Sequence, residues 1–165
     1  MPLKHSILDH SVIKKQRKEE GFTLVELLIV LVIIGIVAAI ATVSALSTRV
    51  RANESQAQAS LKALASAVEI YHNTQGVYPD SLSMLGTSYI GSDLVAGQKA
   101  GYNFELESSN QGSTYTCTAV PVSQHYTGIR SFCINVLNAI QVYPDAPALS
   151  ADGNNCPSGG TALTG

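Results

Sequence analysis

The sequence predicts an α+β protein in which a long N-terminal helix, apolar in its first half and amphipathic in its second, packs on a small antiparallel β-sheet. Three observations predict it. An apolar run from Phe22 to Leu46 contains one ionisable residue, Glu26. From Thr42 to Gln75 neither glycine nor proline interrupts a stretch rich in Ala, Leu, Gln and Glu, so the helix begun in the apolar run continues. Beyond Gly101 the apolar period falls to two, as in strands with one buried face.

The apolar run comes first. As a helix it extends roughly 37 Å at about 1.5 Å per residue, against a bilayer hydrocarbon core of about 30 Å. It is long enough to span a membrane. A lone carboxylate in that setting costs on the order of a few kcal/mol, a penalty that marks Glu26 as a functional residue with a partner. Lys14, Lys15, Arg17 and Lys18 precede the run, whereas only Arg49 and Arg51 follow it closely. This bias keeps the N-terminus cytoplasmic, and everything after about residue 46 then faces outward. A cut between Gly21 and Phe22 would place the new amine of Phe22 one helical turn from Glu26, a cation at the carboxylate's own depth. Glu26 also suits the positive end of that helix.

The string Gly21-Phe22-Thr23-Leu24-Val25-Glu26-Leu27-Leu28 behind a basic leader resembles the leader and N-terminal helix of the type IV pilin and pseudopilin family. The resemblance covers the first third of the chain. It implies that a membrane-embedded aspartyl prepilin peptidase cuts after Gly21 and methylates the amine of Phe22. It also implies that Glu26 pairs with the Phe22 amine of a neighbouring subunit as a filament assembles. Glu19 and Glu20 stand where the family more often has a basic residue before the glycine. Gly35 lies inside the run and would cost about 1 kcal/mol relative to alanine in a water-exposed helix. The resemblance implies a weak point there, where the helix unwinds when packed in a filament; the proline that many pilins carry further along is absent. Two plainer readings stand beside this one. A secretory signal would be cut near Ala39-Ile40-Ala41 or Val43-Ser44-Ala45, but its core is only about 7–15 residues and seldom holds a carboxylate. An anchor that is never cut is the other.

Length fits one small domain behind its N-terminal segment. The chain divides into a leader (1–21), a membrane or filament-core half-helix (22–48), an amphipathic half-helix (49–76), a connecting loop (77–101) and a sheet with a C-terminal loop (102–165). The leader holds five of the ten Lys/Arg and three of the twelve Asp/Glu, which leaves the mature side chains at a net charge of −4. A mildly acidic exported part argues against a nucleic-acid surface.

In the second half of the helix Ala57, Leu61, Leu64, Val68 and Tyr71 form one apolar stripe, with Lys62, Ser66 and Glu69 away from it. Gly76 stops the helix, and Tyr78-Pro79 opens a loop that wraps towards the sheet. Leu82 and Leu85 suggest one short helical turn within that loop. Then Tyr102, Phe104 and Leu106 alternate with Asn103, Glu105 and Glu107. Gln111-Gly112-Ser113 reads as a turn into a strand over Thr114–Val120, followed by strands around Ser131–Val136 and Ala139–Tyr143. One face of this sheet is expected on the helix and the other is expected polar.

Cys117, Cys133 and Cys156 fall in the part predicted to be outside, where disulfides persist. Cys117 shares a face with Tyr115 and Ala119, and Cys133 lies on the opposite one, which favours a Cys133–Cys156 bridge worth roughly 3 kcal/mol on the chain-entropy argument. A Cys117–Cys133 bridge stays open as the alternative. The resemblance leans the same way, because the family often staples its C-terminal loop. The tail from Asp145 reads as surface loop. Asp145, Asp152, Asn154 and Asn155 offer oxygens, and pseudopilins of type II secretion hold calcium in a comparable loop. Asp-Gly-Asn-Asn is, however, an ordinary turn sequence and calcium takes about 6–8 oxygens, so no cofactor is expected.

His5, His10, His72 and His125 are too scattered for a catalytic set, and no phosphate loop, G-x-S-x-G or H-E-x-x-H string occurs. The expectation is a structural subunit, not an enzyme: an inner-membrane single-pass precursor assembled into a homo-oligomeric helical filament, extracellular or periplasmic. Its expected partners are the prepilin peptidase/methyltransferase and the inner-membrane assembly platform with its ATPase. A type II secretion pseudopilin is the runner-up, and an uncleaved membrane-anchored binding or adhesin domain is the reading of another class. Adhesion, motility, DNA uptake and secretion are all served within the family.

Overall fold

The computed structural model describes residues 21–109, 111–145 and 148–163. Leader residues Lys14, Lys15, Arg17, Lys18, Glu19 and Glu20 lie outside the described residues. The fold is α+β and divides into two units, Met1–Ala39 and Ile40–Gly165. Helix α1 (Leu24–Gln75) begins in the first unit, where every side chain from Phe22 to Ala39 is exposed. It is long and apolar enough to cross a membrane.

In the second unit α1 buries Ala57, Leu61, Leu64 and Val68 completely and Tyr71 in part, while Lys62 and Ser66 face solvent. Ala65 and Ala67 are buried too, so the packed face is wider than the stripe alone. Gly76 ends the helix: its N–H reaches the His72 carbonyl at 2.8 Å, and its φ of +79° lies in the left-handed region that glycine adopts without Cβ strain.

The segment 77–101 is more structured than a loop. It forms α2 (Leu82–Tyr89), α3 (Ser92–Val95) and the short strand β1 (Gln98–Lys99). Leu82, Leu85, Ile90 and Leu94 all enter the core, and the Tyr89 ring meets Tyr71 edge-on at 5.7 Å. Burial of these apolar side chains holds two helices too short to form by propensity.

Strands β2 (Tyr102–Ser109), β3 (Thr114–Pro121), β4 (Arg130–Asn135), β5 (Gln141–Pro144) and β6 (Thr161–Ala162) complete a six-stranded antiparallel sheet in sequence order. Register brings Leu106 opposite Cys117 and Cys117 opposite Ile134. Tyr102, Phe104, Leu106, Tyr115, Cys117, Ala119, Phe132, Ile134 and Val142 share one core with the α1 stripe. Each large side chain so buried contributes roughly 1.5–3 kcal/mol.

The opposite face corrects the expectation of an open polar surface. Thr116, Thr118, Ser131, Cys133 and Asn135 are all buried. The chain after β5 folds back over part of this face: the backbone N–H groups of Asp152 and Gly153 both donate to Thr116 Oγ1, at 3.1 and 2.9 Å. Gly153, with φ +75°, lies against the Ser108–Ser109 backbone, where a Cβ would overlap it. The tail is therefore a packed element and not simply surface loop. It ends as β6 on β5, with Ala151 buried on the way. Ile140 is buried but precedes β5, and its carbonyl accepts the Leu163 N–H.

Candidate functional site

The N-terminus of α1 is built from Thr23-Leu24-Val25-Glu26. The Glu26 N–H donates to Thr23 Oγ1 at 3.2 Å, while the Thr23 N–H and hydroxyl donate to Glu26 Oε2 at 2.9 and 2.8 Å. This is a reciprocal capping box, which satisfies backbone donors that the first turn leaves without helical partners. It also folds the Glu26 carboxylate back towards Phe22. Among the described residues Oε1 accepts no hydrogen bond. The sequence signal was there: T-x-x-E directly before an apolar run. Gly21 and Phe22 precede the helix and are exposed, and among the described residues no atom stands within 4 Å of a Cβ built on Gly21. Non-helical, accessible chain is the form that a protease needs. Among the described residues a Cβ on Gly35 likewise meets no atom within 4 Å outside its own helix backbone.

A second polar cluster, absent from the sequence reading, ties α1 to β4. Glu54 is only 4% exposed, yet its carboxylate is fully met. Oε2 accepts Arg130 Nε at 2.9 Å and Nη2 at 2.7 Å, and Oε1 accepts the backbone N–H groups of Ile129 at 3.0 Å and Arg130 at 3.1 Å. Burial alone would push this carboxyl up, but the guanidinium and the two N–H groups together hold it below the usual range. Glu54 stands three residues before Ala57, on the apolar stripe, and a carboxylate in that place signals a buried partner. Nearby, Asn53 Nδ2 donates to the Thr127 carbonyl at 3.0 Å and the Tyr102 hydroxyl donates to the Arg130 carbonyl at 2.9 Å. Gly128 leaves room for the Tyr102 ring, since a Cβ there would overlap the hydroxyl.

A disulfide joins Cys133 to Cys156 with 5.7 Å between Cα atoms. Cys117 is a free thiol in the core, and burial pushes its pKa well up. In the tail, Asp152 Oδ1 accepts the N–H groups of Asn154 and Asn155, at 2.9 and 3.3 Å, and so closes a turn. Among the described residues no three His, Cys, Asp or Glu side chains gather in one place. His72 stacks on Tyr78 with ring centroids 4.2 Å apart. His125 sits in an exposed turn with φ +67°, at the rim of an open groove of about 1080 Å³ that Leu46, Val50, Arg51 and Ile129 also line.

The family described as "Prokaryotic N-terminal methylation motif" matches residues 16–42. The chain is 31% identical to "Type II secretion system core protein G" of Vibrio cholerae over 62% of this chain and 72% of that protein. It is 28% identical to "Type IV major pilin protein PilE1" of Neisseria gonorrhoeae over 83% of this chain and 81% of that one. It is 39% identical to "Type IV major pilin protein PilA" of Myxococcus xanthus, over 42% of this chain and 31% of that protein. No solved structure matches the chain.

Proposed function

Because the chain belongs to the type IV pilin and type II secretion pseudopilin family, we propose that it is the structural subunit of a type IV pilus filament, major-pilin-like, drawn from the inner membrane after its leader is removed. In this reading a prepilin peptidase cuts between Gly21 and Phe22 and methylates the Phe22 amine. An inner-membrane platform and its ATPase then add the subunit to the filament.

The observation that carries the reading is the apolar stretch of α1, exposed from Leu24 to Ile40, with one carboxylate held at its start by Thr23. In the bilayer, lipid covers that stretch. After extraction only neighbouring helices do so in water, and polymerisation becomes the favoured state. The capping box leaves Glu26 Oε1 to take the methylated amine of Phe22 on an adjoining copy. A misaligned subunit would bury that carboxylate unpaired, which sets register. Gly35 would be where α1 loosens as the helices pack. We assign no catalytic role.

Glu26→Ala is expected to leave export and cleavage intact while few filaments form, measured as sheared surface protein against total cellular protein. Abundant normal filaments from that variant would remove Glu26 from the mechanism. The second reading, a type II secretion pseudopilin, is favoured by similarity over 72% of the Vibrio cholerae core protein G. Electron microscopy separates the two: long surface fibres support the pilus, and short periplasmic ones with impaired secretion in a deletion strain support the pseudopilus. An uncleaved, monomeric adhesin-type anchor would give neither.

A further inference from the structure

We infer that the β3–β4 loop, together with the turn of α1 beside it, is a footing on the outer phospholipid surface of the membrane before the subunit joins a filament. This rests on the proposed reading of α1 as a membrane anchor.

The loop between Pro121 and Arg130 exposes Val122, Tyr126 and Ile129, and Tyr126 is 68% exposed. Isolated apolar side chains on a surface are ordinary, but these three share one loop, and Ile129 lines the same open groove as Leu46 and Val50 of α1. Leu46 is also the last residue of the apolar run. The loop is fixed in place: Asn53 donates to the Thr127 carbonyl, and Glu54 accepts the N–H groups of Ile129 and Arg130. Along α1, Asn53 lies roughly 10 Å beyond Leu46 at about 1.5 Å per residue. The polar layer of a bilayer adds about 5–8 Å on each side of the hydrocarbon. A loop pinned there stands just past that layer, close enough for Tyr126, turned back along α1, to meet the headgroup region, where aromatic side chains with a polar tip are enriched.

Charge points the same way. Of the five Lys/Arg after the leader, Arg49, Arg51 and Arg130 lie at this end. Glu54, the carboxylate beside the loop, is buried and paired with Arg130, and Asp93, close to the same end through Gly101, is paired with Lys99 at 3.5 Å. The loop itself, Val122 to Ile129, has no Asp or Glu. Arg49 and Arg51 are exposed and have no acidic residue within two positions of them on α1. An otherwise acidic domain thus presents a basic, apolar edge where α1 leaves the hydrocarbon. Phosphate groups suit the guanidinium forks, and the bilayer interface suits Tyr126 and Ile129.

The chain has no tryptophan, so single substitutions make clean fluorescent reporters. Full-length Tyr126→Trp, Leu137→Trp and Ile36→Trp chains are reconstituted in phosphatidylcholine/phosphatidylglycerol vesicles with acyl bromines near the headgroup or deep in the chains. Leu137 is highly exposed and lies past the other end of β4, so it serves as the distant control. The Tyr126→Trp chain is expected to emit at shorter wavelength than the Leu137→Trp chain and to be quenched most by the shallow bromines. Adding Arg49→Gln and Arg51→Gln should weaken that quenching. If Ile36→Trp is quenched by deep bromines but Tyr126→Trp is quenched no more than Leu137→Trp, the footing is wrong and the anchor stands. If Ile36→Trp is not quenched, the anchor reading itself fails, and the footing with it. A blue shift in Tyr126→Trp that grows with protein density and shows no bromine quenching overturns the footing in favour of a second copy in the groove.

Discussion

Replacing Arg130 by methionine keeps most of the aliphatic stem and removes the cation from Glu54. Oε2 then loses contacts of 2.9 and 2.7 Å, while Oε1 keeps its two backbone donors. Breaking one partner of a buried ion pair costs about 3–5 kcal/mol because a charge is left behind. The Arg130 side chain is 42% exposed, so solvent screening lowers the expected loss to about 2–3 kcal/mol. For a domain of this size that is a fall of roughly 8–12 °C in Tm, at about 4 °C per kcal/mol. Thermal unfolding of the full chain in detergent, followed by circular dichroism at pH 7, reads it directly. The pH dependence gives a second check. In the parent protein the Glu54 carboxyl is held below its ordinary value near 4.5, so its contribution is present above that pH and lost as pH falls through the folded value. Without the guanidinium, burial pushes the carboxyl up, and the variant relieves its penalty by taking a proton at higher pH. The gap between variant and parent should therefore close on acidification. Glu54→Leu combined with Arg130→Met should lie closer to the parent than Arg130→Met alone. A Tm at pH 7 equal to the parent's, or a gap that widens in acid, would refute the reasoning.

Cys133→Ser with Cys156→Ser should lower stability by about 3 kcal/mol on the loop-entropy argument, read as an earlier denaturant midpoint that matches the parent under reductant. A reductant-insensitive parent midpoint would count against it. At the alkaline end, burial raises the pKa of Tyr102, Tyr115 and Cys117 in the folded state. Their contribution is full below the unfolded values, about 9 for the thiol and 10 for tyrosine, and is lost as pH rises towards the folded ones. Melting temperature should fall progressively above about pH 9, and Cys117→Ala should remove the earliest part of that fall.

What was legible in the sequence follows from periodicity. The stripe through Leu61, Leu64 and Val68 and the alternation of Tyr102, Phe104 and Leu106 each repeat long enough to fix a helix face and a strand face. Helix α2 was legible only as one short turn at Leu82 and Leu85, and α3 was hidden, because one or two turns held by Leu85 and Leu94 look like turn sequence until the core they enter is known. The buried outer face was hidden for a related reason. Thr116 and Thr118 read as solvent-facing, and only the return of Asp152 and Gly153 onto Thr116 shows that the tail packs there. Glu54 and Arg130 stand far apart in sequence, so their pairing is tertiary, although Glu54's place on the apolar face hinted at it. The cap is the opposite case. Thr23 and Glu26 are three residues apart, so T-x-x-E was a local signal for their reciprocal bonding, although a partner for Glu26 was expected only in the Phe22 amine.

The most direct test of the account is mass spectrometry of the protein in sheared surface filaments. A chain that begins at an N-methylated Phe22, with Glu26 retained four residues on, is the predicted result. A chain that keeps residues 1–21, or that starts beyond Glu26, would contradict it.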